Sequence, residues 1–301
     1  MRTNILIQVK CSHLIRAVIE LFTKVKINPF FWIVIASAFI TGYFKEMIMI
    51  FTIVFIHELG HAVAARSFKW TIYKIELLPF GGVAEVEDTS NKPFHEELIV
   101  ILAGPIQHLW MMALSYYFIA FPFWSTYDHQ LFIWHNIMIL LFNVLPILPL
   151  DGGRLLQLLF MYRFPYAKAI TVMRNVSLFF LFVLCFIASV IYFSLHLWMI
   201  ITFLLIIHYL DWKQRYYTFM KFILGKQSSP IFTKSANVHV SNSITVKEAV
   251  KFCKRGSSLT YNYFDPAIGK HVQLHEEIIR IAYLDRKRIY HRICDLKPTQ
   301  F

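Results

Sequence analysis

Residues 46–66 read EMIMIFTIVFIHELGHAVAAR, an apolar run of about the length that crosses a bilayer, with a His-Glu-x-x-His motif in its second half. On a helix, His57 and His61 stand four positions apart and share a face. Two imidazoles so placed can bind one Zn²⁺, with Glu58 beside the metal-bound water as general base. The motif alone occurs by chance in soluble proteins, so its setting matters more than its letters. Two imidazoles one turn apart beside a glutamate are expensive inside a membrane unless they do something there. The combination points to hydrolysis of a peptide bond within or beside a lipid bilayer.

The rest of the chain supports that setting. Of its 301 residues, 57% are hydrophobic and 17% aromatic, and the mean hydropathy is +0.53, above the usage of soluble domains. Between Glu97 and Asp151 the only acidic or basic residue is Asp128, and between Arg174 and Asp211 there is none. The net charge of +12 is carried mostly at the ends and in short loops, where membrane proteins keep cytoplasmic positive charge, so nucleic acid is not an expected partner. Cys11, Cys185, Cys253 and Cys294 show no paired spacing. Neither a disulfide framework nor a thiolate zinc site is indicated, and a metal would have to be held by histidine and carboxylate. Residues 1–27 read as a cytoplasmic segment with no cleavable signal.

The sequence predicts an α-helical polytopic membrane protein of about six spans, near residues 29–44, 46–66, 97–121, 131–150, 176–193 and 195–211. Residues 175–210 would form a helix of roughly 54 Å, too long for a ~30 Å core, so a hairpin turning near Ser194 and His196 is expected. The membrane domain covers residues 28–224, a linker 225–235 and a soluble α+β domain 236–301. Lys and Arg follow spans two, four and six, which puts both termini in the cytoplasm. Ile72–Leu78 and Val83–Glu87 are β-prone around Pro79, Phe80, Gly81 and Gly82, and read as a short hairpin or re-entrant loop. The first of them is a candidate to pair by edge addition with an extended substrate. In the tail, Val238–Val240 and Leu259–Phe264 read as strands. Val246–Cys253, with Thr245 as cap, and Leu274–Asp285 read as helices.

A catalytic zinc generally takes three protein ligands and keeps one position for water. Asp151, in NVLPILPLDGG (residues 143–153), is the strongest candidate for the third, at the same cytoplasmic leaflet as His61. Pro146 and Pro149 remove helix hydrogen bonds beside it, which membrane proteins accept where backbone borders a cavity. The alternative for Asp151 is a cap or turn residue, with Gly152 and Gly153 breaking a helix. Asn143 is either a satisfied polar core group or a contact for substrate backbone. Gly104 and Pro105 read as a helix start or kink, and Gly60 as a close-packing position. His108, His135, His196 and His208 lack an i+4 histidine and read as structural or interfacial rather than metal-binding.

HELGH in one membrane helix and NxxPxxPLDGG at the end of another, with NPFFW (28–32), LLPFGG (77–82) and AGPIQH (103–108), resemble the site-2 family of intramembrane zinc metalloproteases. The resemblance covers roughly residues 28–215 and is strongest to the members that serve endospore formation. It implies His57, His61 and Asp151 as zinc ligands and Glu58 as catalytic base. It also implies Asn143 as a substrate contact, and Phe80, Gly81 and Gly82 as part of the substrate's way in. The implied substrate is the precursor of the sporulation sigma factor sigma-K, trimmed on the mother-cell side at the outer forespore membrane. Inhibitory membrane proteins are the implied partners, and a homo-oligomer is left open. The tail is similar to a single cystathionine-β-synthase-type (CBS) module, linked in that family to ATP, although it contains no phosphate-cradling glycine loop. Two rivals remain: an inactive receptor that keeps a structural zinc and binds a client uncut, and a transporter using Glu58 as a relay. The complete set of four residues argues against the first, and the lack of two related halves against the second.

Overall fold

A computed structural model describes residues 25–27, 32, 35–36, 39–78, 81–86, 92–190, 195–228, 234–265, 269–285 and 288–296. The opening stretch forms helix α1 (Phe44–Ser67). It starts just after Gly42, whose φ of 82° suits glycine. It stops where Lys69 turns left-handed at φ 61°, and Trp70 N–H reaches back to the Ala65 carbonyl at 3.0 Å. The turned chain buries Trp70, whose indole N–H donates to Glu96 Oε2 at 2.8 Å.

Strand β2 (Ile72–Leu78) pairs antiparallel with β3 (Gly81–Val86), and on its other side parallel with β1 (Val25–Ile27). The expected hairpin is present, with Pro79 and Phe80 outside the described residues. Strand β1 is an addition that three apolar and basic letters could not announce. It makes β2 a central strand, so the edge expected to meet a substrate is covered opposite Ile75–Leu77. Among the described residues, β3 carries the open edge. Both β2 and β3 lie against α1.

Helix α2 (Phe94–Phe118) runs straight through Gly104 and Pro105, which lie in its middle rather than at its start. Pro105 has no N–H for the Ile101 carbonyl. Helix α3 (Thr126–Val144) is opened by a reciprocal Ser125–Asp128 capping box, and Lys45 reaches Asp128 at 2.6 Å. The expected span 131–150 therefore sits further back. It ends at Leu145 (ψ 138°) because a residue before proline is driven out of the α region. Asp151, Gly152 and Gly153 then begin helix α4 (Asp151–Arg163) instead of breaking one. A side chain at Gly152 would run into the Val144 carbonyl, and one at Gly153 into the backbone of Ile147. The two glycines let a first helical turn sit directly on the loop before it.

Helices α5 (Tyr166–Val190) and α6 (Leu195–Ser228) pack on each other; of the turn expected near Ser194 and His196, Ser194 lies outside the described residues and His196 is within α6. α6 is 34 residues long, about 51 Å at ~1.5 Å per residue. It continues past its apolar part through Lys213, Arg215 and Lys221 into the segment read as linker. Among the described residues, three helices are long and apolar enough to cross a membrane: α1, α2 and α5. Of the first expected span, 29–44, residues 29–31, 33–34 and 37–38 lie outside the described residues.

In the tail, β4 (Lys234–His239) pairs parallel with β5 (Ser257–Asp265), which pairs antiparallel with β6 (Lys270–His275). Between β4 and β5 comes α7 (Val246–Ala249), capped by Thr245 and Glu248 and followed by a 3₁₀ turn. Helix α8 (Glu276–Leu284) follows β6. Leu274, expected in that helix, instead pairs with Tyr261 across the sheet. Both are buried in a core of Val246, Ala249, Val250, Leu259, Ile279 and Ile293 that also takes in Tyr166, Phe222 and Ile223.

The chain divides into two compact units. The first is built on β1–β3, α1, α2 and α3 with Asp151 and Gly152. The second comprises the 146–149 loop, the remainder of α4, α5, α6 and the tail.

Candidate active site and metal centre

The first unit brings together three side chains that sequence spacing could only pair in part. His57 and His61, one turn apart on α1, face Asp151 at the first residue of α4. The His57 and His61 Nε2 atoms are 3.1 Å apart, and Asp151 Oδ2 lies 2.9 Å from the first and 3.2 Å from the second. All three residues are buried. They are the group, among the described residues, whose ligand atoms lie close enough together to hold one metal ion.

The far side of each ring decides what these atoms carry. His61 Nδ1 lies 2.8 Å from the Val100 carbonyl oxygen, which can only accept, so Nδ1 donates and Nε2 presents a lone pair. His57 Nδ1 lies 3.0 Å from His108 Nε2 on α2, and His108 Nδ1 lies 3.0 Å from Asn136 Oδ1 on α3. Asp151 Oδ2 is buried and receives no hydrogen bond. Acceptors that face one another away from water are unfavourable unless a cation lies between them. Ligands ~2.0–2.1 Å from a tetrahedral zinc stand about 3.3–3.4 Å from each other, close to the three edges seen here. The donor set, two imidazoles and a carboxylate, fits that ion and leaves a fourth position open.

Backbone packing keeps the site tight. Gly104 of α2 lies against both rings: a Cβ there would collide with the His61 imidazole and come within 2.8 Å of His57 Nε2. Gly60 lies equally close to the Ala103 carbonyl. In the second unit the loop that leads to Asp151 is held at Leu148, whose N–H donates to Ser177 Oγ at 2.9 Å. The Ser177 hydroxyl donates in turn to His208 Nε2 at 2.6 Å, because His208 Nδ1 is occupied by the Leu204 carbonyl at 2.9 Å.

Glu58 follows His57 on α1 and is half-buried. Among the described residues its carboxylate has no hydrogen-bond or ion-pair partner. The Asn143 amide donates to the Ile139 carbonyl of its own helix at 3.1 Å, and the structure does not bring it into the His57–His61–Asp151 group. Gly81 and Gly82 pair with Leu78 and Leu77 at the closed end of the hairpin, and Phe80 lies outside the described residues. His108 and Asn136 are the site residues that sequence reasoning missed. His108 has no histidine one turn away because its partners are on other helices. His135 is bonded to the Leu131 carbonyl of its own helix at 2.7 Å.

The family model described as peptidase family M50 matches residues 45–129 and 126–184. Stage IV sporulation protein FB of Bacillus subtilis (strain 168) is 39% identical over 209 residues, which cover 69% of this chain and 73% of that protein. A zinc metalloprotease of Methanocaldococcus jannaschii is 27% identical over 179 residues, covering 57% of this chain and 47% of that protein. Among solved structures, the site-2 protease from Methanocaldococcus jannaschii aligns with a TM-score of 0.46 and 24% identity, over 60% of this chain and 88% of the other.

Proposed function

Because this chain belongs to peptidase family M50, the site-2 type of intramembrane metalloprotease, we propose that it cuts a membrane-associated protein precursor at a zinc held by His57, His61 and Asp151. The observation that carries this reading is the convergence of His57 Nε2, His61 Nε2 and Asp151 Oδ2 within 3.2 Å of one another. A zinc ion there supplies Lewis acidity, lowering the pKa of bound water and polarising the scissile carbonyl. Glu58, whose carboxylate has no hydrogen-bond or ion-pair partner among the described residues, accepts the proton of the attacking water and returns it to the leaving amine. Asn143 at the end of α3 offers its carbonyl oxygen to substrate backbone, its amide being held by Ile139.

A helical substrate hides its carbonyls, so the segment to be cut must be extended. With β2 flanked on both sides, such a segment adds to the outer edge of β3, which carries Gly81 and Gly82. By its place in the sequence beside Gly81, Phe80 is read as part of the same way in. The chain is an integral membrane protein, read here with six crossings and both termini in the cytoplasm. α1, α2 and α5 supply three of them; α3, the apolar half of α6 and residues 29–44 supply the rest.

The substrate we favour is the precursor of sigma-K, which loses its pro-sequence, with membrane proteins as inhibitors; the likeness to a sporulation protein supports this choice. The tail, with its β-α-β-β-α order, is read as the CBS-like module that engages substrate or ATP. The test is co-expression with the sigma-K precursor. Wild type yields the trimmed product and Glu58→Gln does not; equal product from both would sink the protease reading in favour of an inactive receptor. Processing that survives a zinc chelator would remove the metal assignment.

A further inference from the structure

The third contact of His57 runs away from the metal-facing side and into the protein. His57 Nδ1 meets His108 Nε2 at 3.0 Å, and His108 Nδ1 meets Asn136 Oδ1 at 3.0 Å. The Asn136 amide donates to the Phe132 carbonyl at 2.9 Å. His108 and Asn136 are each 0% exposed, so no water competes for these bonds.

The direction of every proton in this chain follows from its last member. The Phe132 carbonyl can only accept, so it takes the Asn136 NH₂ and turns Oδ1 toward His108. Oδ1 can only accept, so His108 carries its proton on Nδ1 and has a bare Nε2. That bare nitrogen requires His57 to carry its own proton on Nδ1. The lone pair of His57 is thereby left on Nε2, the atom that faces His61 and Asp151. His61 reaches the same state in one step, through the Val100 carbonyl.

We propose that His108, oriented by Asn136, is a positioning residue that fixes His57 in the Nδ1–H tautomer and so presents Nε2 to the metal. The proposal rests on His57 being a ligand, as argued above. It assigns a role to two buried polar groups in a hydrophobic helix pair that would otherwise be a burden there. Residues that hold a ligating histidine from behind are worth about 10–100-fold in metal affinity.

The test is zinc affinity of the full chain in detergent, read by competition with a fluorescent chelator, together with the visible spectrum after cobalt substitution. His108→Leu and Asn136→Leu each weaken zinc binding about 10–100-fold and shift the cobalt bands. The double variant is no weaker than His108→Leu alone, because Asn136 acts only through His108. His108→Gln, whose side-chain oxygen reaches the place of Nε2 and accepts from His57, restores most of the affinity. In that background Asn136→Leu has little further effect.

Affinity within twofold of wild type in a folded His108→Leu overturns the proposal. So does His108→Gln binding as weakly as His108→Leu while eluting as a monodisperse protein. If the leucine variants do not fold, the comparison of His108→Gln with wild type decides alone: near-equal affinity supports the relay and a tenfold loss defeats it. His57→Ala is the control that separates the two levels. Unchanged zinc binding there removes the ligand assignment itself, whereas its loss with an unaffected His108→Leu removes only the relay.

Discussion

The Lys226–Glu276 pair of the second unit and the His57–His61–Asp151 group of the first are equally shielded from solvent, yet their electrostatics are opposite. Lys226 and Glu276 form a direct ion pair with side chains 3% and 1% exposed. Each also has a backbone partner: Lys226 Nζ donates to the Lys254 carbonyl at 2.9 Å, and Glu276 Oε2 accepts from Leu259 N–H at 2.8 Å. Arg280, 3.7 Å from the same carboxylate, adds a second cation, so the charge of Glu276 is matched by the protein itself. The two histidines use Nδ1 on protein partners, and they and Asp151 leave their inner atoms, all acceptors, facing each other. The difference separates a buried polar group that holds a fold together from one that is finished by something the chain does not contain.

Removing a ligand should break the contrast most strongly. Asp151→Ala is expected to abolish precursor processing, a loss of about 10³-fold or more at the scale of removing an essential catalytic group. The thermal unfolding of the tail should stay unchanged. Calorimetry in parallel with a processing assay checks both halves, and substantial residual cleavage would count against the site. Lys226→Met should do the reverse. It removes the nearer of the two cations beside Glu276, leaving Arg280 at 3.7 Å, and costs up to about 3–5 kcal/mol of stability, while Lys226→Met/Glu276→Gln recovers much of it. Chemical denaturation of the three proteins provides the measurement, and a double variant as unstable as the single would show the pair is not the source.

Gly104→Ala probes packing without altering chemistry. The added methyl meets the His61 and His57 rings, so zinc affinity should fall by about 1–3 kcal/mol, the usual range for overpacking, with no change in the tail. The smallest effect concerns Cys253, whose thiol is fully buried in the tail core and pushed up to about 12 by burial and, less, by Glu276. Its pKa is raised on folding, so its contribution is fully present below the unfolded value near 8.5 and is lost as pH rises from there toward 12. Tail stability should decline over that window, and Cys253→Ala should flatten the decline. Thiol labelling at pH 8 should leave Cys253 unmodified with or without a zinc chelator. Labelling that appears on chelation would mean that the two clusters are not independent.

The half of the site that obeys a local rule was readable in the letters. His57 and His61 are tied by helical periodicity, and Asp151 is marked by prolines that no uninterrupted membrane helix would carry. His108 and Asn136 left no such trace, since what joins them is the packing of α2 and α3 against α1, and a lone histidine in an apolar run has many meanings. The start of α4 was not legible because glycines after an aspartate suit a turn equally well. Only the nearness of Val144 and Ile147 shows that they serve close packing within a helical turn. Leu274 and His275, the end of strand β6, were read into the following helix for a similar reason: Lys270–His275 is too short for alternation to outweigh the helical pattern after it, and pairing with β5 decides the matter.

The tail's core has a consequence for how this protein can be taken apart. Tyr166, at the start of α5, stacks on Phe222 of α6 with ring centroids 3.8 Å apart, and both belong to the same buried cluster as Tyr261, Leu274 and Ile279. A cassette cut between the membrane helices and the first tail strand would leave that cluster without Phe222, Ile223 and Tyr166, and Glu276 without Lys226. The tail is therefore no freely transplantable module. To graft it onto another protein, or to study it in isolation, the closing turns of α6 and a substitute for the first turn of α5 must travel with it.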